Sequence, residues 1–246
     1  MTVTYEVREG IAYIAFDRQE KHNALRDEDL EALSVAVRRL DRDEEANLAI
    51  LSGNGRSFSS GGDLQARLQK SMEEGSTSGR VNEREAFLEC KTWKPIIAAV
   101  HGYCLGHALA TALLCDHVVA DRSAKFQVTE TKVGLAMPSL LPMLGYPAFA
   151  NDVAMTGRMF SAEEAWAGGM LTRLVDEGNH ISAAEELARQ ILENPQTPVR
   201  EFVRVRRMLI VQDAARYRAI TGDFDWANSA EAKGAVADRL RGLSST

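Results

Sequence analysis

Ile96-Ile97-Ala98-Ala99-Val100-His101-Gly102-Tyr103-Cys104-Leu105-Gly106-His107-Ala108-Leu109 is the stretch whose reading decides the fold. Its first five residues are apolar without alternation, the pattern of a strand covered on both faces. Gly102 and Gly106 then punctuate the run, and an apolar helix is predicted from about His107 to Leu114. His117-Val118-Val119-Ala120 returns as a strand. Strand, glycine turn, helix and strand in that order point to an α/β architecture.

The same order stands earlier in the chain. Tyr5 to Arg8 and Ile11 to Phe16 read as a hairpin around Gly10. Asp27 opens a helix, with Glu28 and Asp29 in the first turn where the macrodipole favours negative charge. Leu30, Leu33, Val37 and Leu40 supply its apolar stripe. Leu48-Ala49-Ile50-Leu51 is a short buried strand that ends in Ser52-Gly53-Asn54-Gly55. Gln69 to Glu83 is the least core-like segment and is expected to be a mobile loop or frayed helix ends. After Pro138 the pattern turns mainly helical. Ser161-Ala162-Glu163-Glu164 resembles a capping box, opening a helix that stops at Gly168-Gly169. Leu171 to Val175 reads as a last strand, and Asn194-Pro195-Gln196-Thr197-Pro198 breaks the chain before a polar, Arg-rich helical tail. Residues 1–195 are therefore expected to form a core and 196–246 a C-terminal helical region.

Bulk composition narrows the function classes. The 246 residues are 45% hydrophobic and 26% charged, with a formal net charge of −6. That balance gives no sign of a nucleic-acid or membrane-surface protein, while leaving room for a local Arg or Lys cluster that receives phosphates. Three cysteines, Cys90, Cys104 and Cys115, lack C-x-x-C spacing, which fits a reducing compartment better than a disulfide framework or a thiolate zinc site. No apolar run approaches the roughly 20 residues needed to span a bilayer. The N-terminus enters strand-like alternation directly, so a soluble cytoplasmic protein is expected.

Three segments carry candidate chemistry. Ser57-Phe58-Ser59-Ser60-Gly61-Gly62-Asp63-Leu64 lies between a strand and a helix. Its small residues let a ligand approach the backbone, and Asp63 can cap the next helix; a plain strand-to-helix turn is the other reading. Val100 to Leu109 leads through glycines into a helix N-terminus, whose amide donors suit a developing oxyanion; tight helix–sheet packing is the other reading. Phe126-Gln127-Val128-Thr129-Glu130-Thr131-Lys132-Val133-Gly134-Leu135 sets Glu130 between a short strand and a glycine, as a catalytic acid–base or as a surface partner of Lys132. A metal site built from His101, His107, Asp116 and His117 finds no support in their spacing.

Taken together, these residues resemble the crotonase (enoyl-CoA hydratase/isomerase) superfamily from near the N-terminus to about residue 176. The matching elements are 17–25 (Asp17-Arg18-Gln19-Glu20-Lys21-His22-Asn23-Ala24-Leu25), Phe58 to Leu64, Ala98 to Tyr103 with Gly106, Cys115-Asp116, Thr129 to Leu135, and Ser161 to Ala165 with Gly168-Gly169-Met170-Leu171. The resemblance implies an α/β spiral of ββα units with a C-terminal helical trimerisation region, in a homotrimer or homohexamer. It also implies an acyl-CoA thioester substrate, coenzyme A being part of the substrate and no separate cofactor being required. Carried over by position, the amides of Ser60 and His107 would hold the thioester carbonyl, and Glu130 would move the proton. Lys21, Asn23, Ala24 and Leu25, with Ser60, Gly61, Gly62 and Asp63, would receive the coenzyme. The loop 65–84 would close over the acyl chain.

Departures from the family pattern bear on the subclass. Hydratases of the family carry a second glutamate, and its position here is Ala110. Gly106-His107-Ala108 thins the usual glycine cluster, so the His107 side chain either faces the acyl pocket or turns away to cap the helix region. The terminal basic pattern is replaced by Ala235-Val236-Ala237-Asp238-Arg239-Leu240-Arg241. One carboxylate suits a double-bond shift from the 3- to the 2-position better than water addition, and partial burial is expected to raise the Glu130 pKa. The sequence thus favours an enoyl-CoA isomerase. A hydratase that recruits a carboxylate from the 65–84 loop and a non-catalytic acyl-CoA binder remain the alternatives.

Overall fold

In a computed structural model, residues 2–66, 92–133 and 147–221 are described, with a few helical positions beyond. A six-stranded sheet runs in the order β1-β2-β3-β4-β6-β9, and a three-stranded sheet in the order β5-β7-β8. β1 (Val3–Arg8) and β2 (Ile11–Phe16) form the antiparallel hairpin. β3 (Leu48–Gly53), β4 (Ile96–Val100), β6 (His117–Asp121) and β9 (Arg173–Val175) extend it in parallel.

Alternation along these strands builds two cores. Ile11, Leu48, Ile50, Ile97, Ala99 and Val119 pack against Ala183, Ala184, Leu187 and Ala188 of a helix at His180–Leu192. Their neighbours Ala12, Ile14, Ala49, Leu51, Ala98 and Val100 face the other way, toward Leu30, Leu33, Val37 and Leu40 of α1 (Asp27–Arg42) and Leu109 of α2 (His107–Leu114). Both faces are covered, which is why β3 and β4 read as continuous apolar runs.

The second sheet turns the chain into a spiral. After β4, three residues form β5 (Tyr103–Leu105) and α2 begins at once. After β6, the chain forms β7 (Lys125–Gln127) and then α3 (Glu130–Val133). Single bridges supply the same step earlier: Leu25 pairs with Gly62, and Ser59 pairs with Cys104 of β5. Leu25 precedes α1, and Ser59 and Gly62 precede a helix that opens at Leu64. Each turn therefore places a strand in the large sheet, a short strand in the small one, and a helix start directly behind it.

Some expectations shift in detail. Tyr103–Leu105 is a strand rather than only a glycine-punctuated turn, because Tyr103, Cys104 and Leu105 pair in register with Lys125, Phe126 and Gln127. The segment read as mainly helical includes β8 (Met159–Ser161), antiparallel to β7. The last strand starts at Arg173 rather than Leu171. Around these lie α4 (Pro147–Thr156), α5 (Ala162–Ala167), α6 (His180–Leu192) and α7 (Gln196–Thr221). The Ser161–Glu164 capping box forms reciprocally, at 3.2 Å and 2.9 Å. Residues 67–84 of the loop expected to close over the acyl chain lie outside the described residues.

Candidate active site

Three successive turns of the spiral bring their helix starts together. Gly61, Gly106 and Glu130 stand well apart in sequence, yet Gly61 abuts Leu105 and His107 on either side of Gly106, and Gly106 abuts Thr129 and Glu130. Gly106 has φ +51, a left-handed value that favours glycine. A Cβ there would sit 2.2 Å from Thr129 Oγ1 and 2.7 Å from Glu130 Oε1. The Glu130 carboxyl group therefore lies against the backbone that opens α2, and the residue is 8% exposed. Gly61, with φ +87, packs just as tightly: its Cβ would meet Leu105 O at 2.5 Å and approach the His107 nitrogen to 3.7 Å.

Helix α2 begins at that point. Its first intrahelical bond runs from Ala110 N–H to Gly106 O at 3.1 Å, which sets residues 107–109 in the first turn of the helix. The Gly106 amide is held by Gln127 O at 2.8 Å, which ties this start to the strand leading to Glu130. His107 is buried, as is Ala110 at the position where the resemblance assigns a second glutamate.

Hydrogen bonding in the 59–63 turn corrects one sequence-based assignment. The Ser60 amide donates to His22 O at 2.8 Å and is committed inside the protein. Ser59 N–H goes to Tyr103 O, Gly61 N–H to Ser59 Oγ, and Asp63 N–H to Leu25 O. The Gly62 amide takes no partner among the described residues. Gly61 O accepts from Leu25 N–H at 2.8 Å; in a trans peptide the following N–H points the opposite way, so Gly62 N–H is directed away from Leu25. The cause of the correction is the left-handed pair His22 and Asn23, φ 49 and 54, which turns the His22 carbonyl onto Ser60.

The residues expected to receive coenzyme A divide in two. Lys21 is exposed and Ala24 half-buried. Asn23 and Leu25 are each 1% exposed, so their side chains are core groups rather than a ligand surface. Asp63 caps the helix behind it, accepting from Ala66 N–H at 3.1 Å, and pairs with Arg18 at 2.7 Å. Burial pushes the Asp63 carboxyl up, but the Ala66 amide and the Arg18 guanidinium outweigh it and hold the group below the usual carboxylate range. Arg18 also donates to Ala24 O at 3.1 Å, joining the 18–25 segment to the turn. Sequence reasoning placed Gly62 only among the coenzyme contacts and gave Arg18 and Ser59 no individual role, because nothing local to 17–25 or 57–64 signals bonds between those two distant segments.

The four residues weighed as a metal set are dispersed. His101 bonds Gly55 O at 2.9 Å and stacks on His180, ring centroids 4.3 Å apart, while Asp116 pairs with Arg206 and Arg207. Among the described residues no group of three or more His, Cys, Asp or Glu is arranged to hold a metal ion.

The sequence as a whole matches a known family. The profile described as Enoyl-CoA hydratase/isomerase matches residues 6–224. This chain belongs to the enoyl-CoA hydratase/isomerase family. Among its relatives, the (E)-benzylidenesuccinyl-CoA hydratase of Thauera aromatica is 36% identical over 198 residues, 78% of this chain and 75% of the relative. A carnitinyl-CoA dehydratase of Salmonella enteritidis is 33% identical over 221 residues, covering 84% of this chain and 82% of that one. In three dimensions, an enoyl-CoA hydratase/isomerase from Pseudoalteromonas atlantica superposes with a TM-score of 0.84 at 28% identity, covering 98% of both chains. A carnitinyl-CoA hydratase from Mycobacterium avium gives 0.84 at 26% identity, covering 98% of this chain and 96% of that one. The crotonase resemblance and the α/β fold are thereby established for this family member.

Proposed function

We propose that this family member acts on an acyl-CoA thioester, polarising its carbonyl between the Gly62 and His107 amides and moving a proton with Glu130. The observation that carries the reading is the buried Glu130 carboxyl group packed against Gly106, at the start of the helix that Gly61 also abuts. Two amides on one carbonyl oxygen stabilise the enolate that forms when a proton leaves C2. Loss of one such donor typically costs about 10²–10³ in rate.

With Ala110 in place of a second glutamate, the reaction that one carboxylate completes is a Δ3-to-Δ2 double-bond shift. Glu130 takes the proton from C2, the electron pair spreads over the dienolate, and the same carboxyl group returns the proton at C4. Coenzyme A enters as part of the substrate and leaves, still in thioester linkage, as part of the product, and no separate cofactor is required. Reversible hydration is the second reading, supported by the hydratase and dehydratase names of two relatives. It requires a further group to activate water. The family resemblance also supports a homotrimer or homohexamer, and the cysteine usage supports a reducing, cytoplasmic setting.

Side-by-side assay of 3-enoyl-CoA and 2-enoyl-CoA tests these readings. Isomerisation of the first by the wild type, reduced about 10²- to 10⁴-fold in Glu130→Gln, supports the double-bond shift. Water addition to the second moves the assignment to a hydratase. Tight thioester binding without turnover of either overturns both.

A further inference from the structure

Two buried polar side chains lie behind the 59–63 turn without reaching the ligand side. Asn23 is 1% exposed and left-handed, with φ 54. Its Oδ1 accepts from Arg18 N–H at 2.8 Å, and its Nδ2 donates to Asn54 O and Ser57 O at 2.9 Å and 2.8 Å. The Asn23 carbonyl accepts from Ser59 Oγ at 2.7 Å, and that same hydroxyl oxygen accepts from Gly61 N–H at 3.1 Å. Ser59 is 0% exposed, so its hydroxyl joins two backbone segments and nothing else.

These bonds fix the peptide plane on the N-terminal side of Gly61, while Leu25 N–H fixes the plane on its C-terminal side. The second plane carries the Gly62 amide. Rotation about Gly61 is the one motion that would swing that amide off its direction, and the hydroxyl bond opposes it. We propose that Ser59 and Asn23 are positioning residues that aim the Gly62 amide at the substrate carbonyl without touching substrate. The inference rests on the thioester reading above.

The test uses a saturated acyl-CoA, butanoyl or octanoyl, labelled with ¹³C at the thioester carbon, and reads the displacement of its bound carbonyl resonance. Wild type and Glu130→Gln are expected to show the same downfield displacement, since both keep the amides. Ser59→Ala is expected to lose half or more of it, with kcat down about 10- to 100-fold and KM within about threefold. Ser59→Cys, close in size with a weaker hydrogen bond, should fall between. Asn23→Gly tolerates the left-handed backbone and deletes only side-chain bonds, and should move in the direction of Ser59→Ala. A wild-type displacement retained in full by Ser59→Ala overturns the positioning role and leaves the thioester reading standing. No displacement in the wild type overturns the thioester reading itself. Failure of Ser59→Ala and Ser59→Cys to fold overturns positioning in favour of a purely structural role.

Discussion

Gly106 shows how little freedom the site leaves to a single residue. Any Cβ at this position is opposed both by the left-handed φ and by Thr129 and Glu130. Gly106→Ala is expected to lower stability by about 1–3 kcal/mol and to displace the Glu130 carboxyl group, so that kcat falls more than the stability loss explains. Urea denaturation alongside steady-state kinetics separates the two effects. Asp121 illustrates a buried carboxylate outside the site. Burial raises its pKa, but the His180 hydrogen bond, then Ser123 and the Gly178 amide, pull it down from 3.8 to about 2. A folded value below the unfolded one means that its stabilising contribution is complete above about 3.8 and is lost as the pH falls toward 2. Asp121→Asn should therefore be less stable than wild type by roughly 2 kcal/mol near neutrality, a gap that closes in acid. Denaturation curves collected down the pH scale check both the size and the direction.

At the scale of elements, the long helix α7 is held to the sheet by charge buried at one point. Arg207 is 2% exposed and reaches Asp116, Thr92 O and Lys94 O. Arg206 bonds the other Asp116 oxygen at 3.1 Å. Asp116 also accepts from Ile96 N–H at 2.8 Å, so this cluster anchors the start of β4. Removing one partner of a buried pair strands the other. Arg207→Leu is expected to cost about 3 kcal/mol, measured as a shift in the denaturation midpoint with an unchanged slope. Much of this layer was legible beforehand: Leu30, Leu33, Val37 and Leu40 do line the buried face of α1, and Ser161 does cap α5. β5 and β8 were not, since each is specified by its pairing with β7 rather than by a pattern of its own.

Considered as a whole, the molecule leaves an apolar face on α7 exposed. Phe202, Val205, Met208 and Leu209 are 72%, 52%, 49% and 59% exposed. Their spacing of three to four residues sets them along one side of the helix, and large side chains exposed together mark association surfaces. The proposed homotrimer or homohexamer would cover them. Light scattering after gel filtration should then give three or six times the chain mass, and Phe202→Glu should shift it toward a single chain. A wild type that runs as a monomer would leave that face unexplained by self-association.

From residue pattern alone came the two-sided sheet and the helix after each glycine turn, because burial and periodicity are written locally; Glu130 as the acid–base group came from the family resemblance. Only tertiary structure decided which amide of the 59–63 turn is left for a ligand. Ser60 loses its donor to His22 and Gly61 spends its own on Ser59, while Asn23 and Leu25 move from ligand surface to internal support. The decisive allocation, Ser60 to His22, depends on a carbonyl brought in from a distant part of the chain. A hydrogen bond has one donor to give, and sequence order does not say which distant acceptor reaches it first.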